Sequence, residues 1–296
     1  SDSSQIPTFL VSKMTRENVT VSLSGDGGDE LFGGYNRYLW LTSIWKNLGW
    51  MPIHLRKLIA SIILSLPPNQ VNNFFKMFNY FIPEKLRLNN YGEKFHKFGD
   101  IINFTSQESL YINTVSQWHG MLPIISDSLK YNTIDISKFK LDKNLFAEEM
   151  MQNDIKNYLP DDILVKVDRA AMSNSLETRL PFLDKRVIDF SLKIPFNMKI
   201  RNGESKWLLK QVLYKSVPKS LVDRPKQGFA IPIGDWLRGP LRDWAENLLS
   251  KDNLELDGIL DSVQIREVWN KHLHGRNMQY ALWNILMYQS WRLRWH

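Results

Sequence analysis

Residues 22–35 read SLSGDGGDELFGGY, and the reading of this stretch decides the fold. Five glycines (Gly25, Gly27, Gly28, Gly33, Gly34) surround three acids, Asp26, Asp29 and Glu30. Just before it, residues 19–23 (VTVSL) carry β-branched side chains and stop abruptly at the glycines, the pattern of a buried parallel strand. A new helix begins near Asp29. Strand, glycine turn and helix in that order aim free backbone N–H groups at a ligand beyond the strand's carboxyl end.

A turn of this kind ordinarily takes phosphate, but three carboxylates repel phosphate unless a divalent cation stands between them. The loop therefore implies Mg2+ carried with a phosphorylated ligand. Carboxylates also suit ribose hydroxyls or a general base, so the three acids can divide the work. The competing structural reading is that Asp26 and Asp29 only complement the positive N-terminal end of the next helix.

Outward from the loop, residues 7–17 read as a helix that leads into the strand. From about 39 to 157 the pattern is mostly helical, broken at Pro52, at Pro67-Pro68, at Pro83 and at Pro123. No comparable second strand, repeat or low-complexity segment stands out, so the strand is left without a neighbour to pair with. The fold class is mainly α with a remnant of a parallel α/β sheet. The chain divides into a strand-loop-helix nucleotide part, 1–45, and a mostly helical part, 46–296. In the dense region 154–196, Asp161 and Asp162 are placed to cap a helix starting after Pro160, and Pro181 restricts the run that follows. Further helices are expected around 205–215 and 233–249, and the end, 263–296, reads as two helices split by HGRN.

Composition sets the outer bounds. At 296 residues, 43% hydrophobic and 23% charged, the chain is long enough and apolar enough for a real core. The longest apolar run, near 58–66, is far short of the roughly 18–20 residues of a membrane span, and SDSSQIPT at the start has no apolar signal core. No membrane partner and a cytoplasmic location are expected. There is no cysteine, which excludes disulfides, thiolate metal sites and a cysteine nucleophile within this chain. The six histidines are scattered, and the one close pair, His272 and His274, does not share a helix face, so a histidine metal site is not expected. A net charge of +7 suits an anionic ligand, a nucleic acid or an ordinary basic surface. The basic residues form no clear stripe, which argues against nucleic acid. The terminal WRLRWH follows helix-period apolar residues and reads as packing or partner docking.

Three further groups carry charge in suggestive places. Lys166, Asp168 and Arg169 in KVDRAA are a candidate charged site, although adjacent opposite charges on a helix usually make surface or structural ion pairs. Lys206 and Lys210, one helical turn apart, are candidate phosphate contacts or solvated side chains. Lys226 in RPKQGF sits between a restricting Pro225 and a permissive Gly228, a mount that suits an ammonium facing developing negative charge as well as an exposed turn.

Together, SLSGDGGDELFGGYNRY, KVDRAAMSNSLETRLPFLD, SKWLLK and RPKQGFAIPIGDWL closely resemble, in the same order, the synthetase domain of glutamine-hydrolysing asparagine synthetases. The resemblance runs from DSSQIPT essentially to the end and is weakest through about 45–145. It implies an adenine nucleotide alpha hydrolase-like (ATP-pyrophosphatase) fold, C-terminal portion, with ATP and Mg2+ as cofactors. It further implies activation of aspartate as β-aspartyl-AMP, which ammonia derived from glutamine attacks to give asparagine. By the same resemblance, Ser24 and Gly25 lie against the adenylate, Asp29 holds Mg2+ and pyrophosphate, and Asp26 sits beside the activated carboxyl group. Lys226 would stabilise charge on the phosphates or acyl centre, while Asp168, Arg169 and Lys206 line the site. Two features of that family are missing here. No SGGxDS pyrophosphate loop occurs in the chain, and there is no glutaminase region with its N-terminal cysteine; the chain starts at Ser1. The expectation is therefore the C-terminal part of a longer enzyme, unable alone to make asparagine from glutamine and weak in binding ATP. A β-lactam synthetase-like enzyme with another acyl substrate, and a non-catalytic basic binding fragment, are the alternatives.

Overall fold

The computed structural model describes residues 2–77, 91–118, 123–124, 145–223 and 231–295. The chain folds as two compact units, Ser1–Ser43 with Leu141–Ile231, and Ile44–Lys140 with Pro232–His296. Where the sequence reading set 1–45 apart, the first unit joins 1–43 to 141–231, because its pairing groups lie in both segments.

In the first unit, helix α1 (Gln5–Arg16) leads to strand β1 (Val21–Leu23) and then to the short helix α2 (Gly28–Phe32). The expectation of an unpaired strand is corrected: β1 pairs in parallel with β2 (Glu177–Arg179), Val21 opposite Glu177 and Leu23 opposite Arg179. The sequence ETR is too short and too polar to read as a strand, and only a partner supplied from elsewhere in the chain makes it one. Nor is β1 buried, since Val21 is 44% and Leu23 76% exposed.

A second correction concerns Pro160. Residues 146–172 form one continuous helical run, α3 (Phe146–Asn153), a π-helical segment (Asp154–Leu164) and α4 (Val165–Met172). Pro160 lies inside it, so Asp161 and Asp162 are mid-helix residues, not caps. Proline lacks an N–H and its ring meets the carbonyl four residues back in an α-helix, and here the chain passes it in the wider π form. α1 packs on α4, and Lys166 of α4 reaches back to Asp2 Oδ2 and Ser4 Oγ, both at 2.9 Å. The core beneath takes Leu31, Phe32, Met150, Met151, Ala170, Ala171 and Leu176, all under 4% exposed.

In the second unit, helices Ile53–Ser65 and Tyr91–Ile102 pack through Ala60, Ile63 and Ile102. The C-terminal helices Ile233–Arg238, Arg242–Leu248, Lys251–Glu255, Ser262–Leu273 and Gln279–Trp295 enclose Leu237, Leu249, Leu254, Ile265, Trp269, Leu282 and Leu286. In WRLRWH the first arginine packs while its apolar neighbours and Arg294 stay out. Arg292 is 7% exposed and bonds Asp257 and the Asn253 carbonyl, whereas Trp291, Leu293 and Trp295 are exposed. No helix among the described residues is long and apolar enough to cross a membrane.

His272 is fully buried in this unit. Its Nδ1 accepts the Met278 N–H at 3.1 Å, which puts the ring proton on Nε2, facing the Gly234 carbonyl at 3.1 Å. Burial, reinforced by the Arg238 charge, pushes its pKa down to about 4. Above about pH 6.5 the ring is neutral whether folded or unfolded and costs nothing. Below that the unfolded chain takes a proton that the folded one refuses, so stability falls as pH drops from about 6.5 towards 4. This one group should remove about 3 kcal/mol over that window. Urea unfolding at pH 7 and pH 4 should show the loss in the parent chain and a loss smaller by about that amount in His272→Gln; equal losses would refute the assignment.

Candidate functional site

The site candidate lies in the first unit, where β1 runs out into the glycine turn. The Ser24 N–H donates to the Arg179 carbonyl at 2.9 Å, closing the last rung of the two-stranded ladder. Gly27 then turns the chain with φ +86°, a left-handed conformation that glycine adopts at least cost. The turn is packed from below by the PFLD segment: a Cβ on Gly27 would stand 2.5 Å from Leu183 Cδ2, and one on Gly28 3.1 Å from the Phe182 ring. Phe182 also packs on Phe32, ring centres 5.8 Å apart. SLETRLPFLD thus supplies both β2 and the floor of the turn.

The loop acids part company. Asp26 Oδ2 accepts the Ser24 hydroxyl at 2.5 Å, and no side chain caps α2, so Asp26 is not serving as a helix cap. Gly25 is exposed, and among the described residues nothing but its chain neighbours lies within 4 Å of where a Cβ would sit, which leaves its backbone open to a ligand. Asp29, in the first turn of α2, has its Oδ1 2.9 Å from Lys206 Nζ. Lys206 precedes helix α5 (Trp207–Leu213) and takes a left-handed backbone, φ +53°, unusual for a non-glycine residue. Such a conformation costs on the order of 1 kcal/mol and is held where the surroundings over-determine it. Gly34 closes the arrangement, its N–H bonded to the Asp29 carbonyl at 2.7 Å.

Behind the loop stands a polar cluster that the sequence reading missed. Glu30, 1% exposed, accepts the Tyr35 hydroxyl at 2.6 Å, and burial raises its pKa against that hydrogen bond. Arg37 donates from Nε (3.1 Å) and Nη2 (2.7 Å) to Asp154 Oδ2, and Tyr38 donates to the same oxygen at 2.5 Å. The guanidinium lies 4.1 Å from the Tyr35 ring centre and 5.0 Å from that of Tyr158. The only sequence signal was Arg37 among tyrosines in GGYNRY; nothing marked Asp154 as its partner.

Of the other candidates, Asp168 and Arg169 lie exposed on α4 without an ion pair to any described residue. Lys166 is committed to Asp2, and Lys210 to Glu204 at 2.8 Å. Lys226 lies outside the described residues. The structure thus gathers Ser24, Gly25, Asp26, Asp29 and Lys206, and no hydrogen bond ties Asp168 or Arg169 to them. Among the described residues no group of three or more His, Cys, Asp or Glu side chains could hold a metal ion. One carboxylate such as Asp29 still fits a Mg2+ that keeps its waters and takes its remaining ligands from phosphate.

Comparisons with known proteins bear on this geometry. Residues 1–293 match the family model described as asparagine synthase. A glutamine-hydrolysing asparagine synthetase of Bacillus subtilis is 29% identical over 300 residues, 98% of this chain and 43% of its own. A Mycobacterium bovis protein provisionally given the same name is 30% identical over 298 residues, 98% of this chain and 42% of its own. The chicken asparagine synthetase is 28% identical over 150 residues, 44% of this chain and 26% of its own. The chain spans less than half the length of these relatives.

Proposed function

Since the chain belongs to the asparagine synthase family, we propose that it carries the ATP-dependent, amide-forming part of such an enzyme, with an adenine nucleotide alpha hydrolase-like nucleotide site built on the β1–α2 turn. The observation that carries the reading is the Asp29–Lys206 pair in the same glycine turn as the exposed Gly25. An anion-binding turn and a carboxylate are compatible only if positive charge stands between them, and Lys206 provides one such charge.

In this reading Ser24 and Gly25 bind the adenylate edge of ATP. Asp29 holds Mg2+ brought in with the nucleotide, and Lys206 exchanges its carboxylate partner for phosphate oxygens. When bound, the cation would neutralise charge on the phosphates. An aspartate carboxylate oxygen forms a bond to the α-phosphorus as pyrophosphate leaves, giving β-aspartyl-AMP. Ammonia, released from glutamine elsewhere in a longer protein, then attacks the acyl carbon, the bond to AMP breaks, and the nitrogen gives up a proton to leave the amide and AMP. Asp26, held by Ser24, acts beside the acyl group; by the family likeness Lys226 would stabilise charge on the phosphates or the acyl centre, and Asp168 and Arg169 would line the site. A dry pocket favours both steps, because water would hydrolyse the acyl-adenylate.

Calorimetry with ATP and Mg2+ tests the assignment. Asp29→Asn should weaken binding about tenfold by removing one charged ligand, a change of about 1.4 kcal/mol. Equal affinity in the two proteins would remove the loop from the nucleotide site. Pyrophosphate release with aspartate against other carboxylates identifies the acyl substrate.

A further inference from the structure

We propose that Arg37 is a positioning residue for the nucleotide turn, its guanidinium held by Asp154 and the rings of Tyr35 and Tyr158 so as to anchor α2 to the π-helical segment. The inference rests on the reading of that turn as the nucleotide site.

The argument starts from the length of α2. Five residues do not make a self-supporting helix, so α2 stays in place only through what touches it. At its N-terminal end the support is apolar, Leu183 and Phe182 against Gly27 and Gly28. At its C-terminal end Leu31 and Phe32 are buried and the left-handed Gly33 lies against Ile200 and Met151, and a polar support is added to this apolar one: Glu30 is held by Tyr35, over whose ring Arg37 stands. Arg37 spends two donors on the fully buried Asp154, the first residue of the π segment, and faces Tyr158 four residues further along it. A path of direct contacts therefore runs from the π segment through Arg37 and Tyr35 to Glu30, the residue next to Asp29. Local widening to π geometry is frequent near functional sites, and the two π residues in this path are the ones that meet Arg37. Lysine could keep the charge but not the forked donors or the flat face, so the position asks for arginine specifically.

Two measurements on the full chain decide the matter. In hydrogen exchange, the Leu31 amide is bonded to Gly27 and the Gly34 amide to Asp29. Both should exchange about tenfold faster in Arg37→Met, without nucleotide present, while amides of helix Ser262–Leu273 keep their protection. In calorimetry, ATP–Mg2+ affinity should fall about tenfold in Arg37→Met, with Arg37→Lys also impaired. His272→Gln, which disturbs buried hydrogen bonds of the second unit, should bind ATP as the parent does, which separates positioning from loss of stability. Unchanged protection across 28–34 overturns the inference whether or not ATP binds. Unchanged ATP affinity in Arg37→Met, alongside weakened binding in Asp29→Asn, overturns it as well. If instead Asp29→Asn binds like the parent, the nucleotide reading fails, and the exchange result alone decides whether Arg37 anchors the turn.

Discussion

Gly34→Ala is expected to lower ATP–Mg2+ affinity about a hundredfold at a stability cost of only about 1–3 kcal/mol. Gly34 is not in the left-handed region, so alanine is not strained there by its backbone. The new methyl group would land on the Asp29 carboxylate and the Lys206 side chain. Both side chains can swing aside, at a cost of about 1–3 kcal/mol. Swinging aside is what the site cannot tolerate: the carboxylate and the ammonium lose their 2.9 Å contact and their place in the turn. Thermal unfolding and calorimetry on the same sample separate the two effects. A variant that binds ATP normally would show that the Asp29–Lys206 pair takes no part in nucleotide binding.

The second large effect is on stability. Asp154→Ala should cost about 3 kcal/mol or more, because a buried charge pair broken from one side leaves the other charge unsatisfied. Asp154 is fully buried, and Arg37, at 18% side-chain exposure, has little water to turn to. The Tyr38 hydroxyl, on a residue with no exposed surface, loses its acceptor at the same time. Against a total stability of about 5–15 kcal/mol, a loss of that size is visible directly in the urea midpoint. Arg37→Leu combined with Asp154→Leu should be much less harmful than Asp154→Ala alone, since an apolar pair leaves no orphaned charge. If Asp154→Ala unfolds at the parent's urea concentration, the cluster contributes nothing to stability.

These two residues illustrate the limits of reading the chain in one dimension. Gly34 was visible as one of five glycines around three acids, but the reason for glycine there, the approach of Lys206, involves a residue far along the sequence. Asp154 carried no signal at all. It is one acid in an ordinary polar run, and its meaning comes from Arg37, 117 positions away. The proline rule misled at Pro160, because a helix continued from both sides can pass a proline in π geometry. The strand rule misled at ETR, whose only qualification as a strand is the neighbour it pairs with.

What local chemistry settled without help was the order strand, glycine turn, short helix at 21–32, the mostly helical remainder, and the four motifs that carry the family likeness. Each depends on side chains within a few residues of one another, where backbone preference and hydrophobic period act directly. What only the folded chain decided was which charges meet. Lys166 is spent on Asp2, Lys206 on Asp29, and Arg37 on Asp154. Charge pairing falls off with distance in space, not along the sequence, and the packing of α2, α3, α4 and β2 sets those distances.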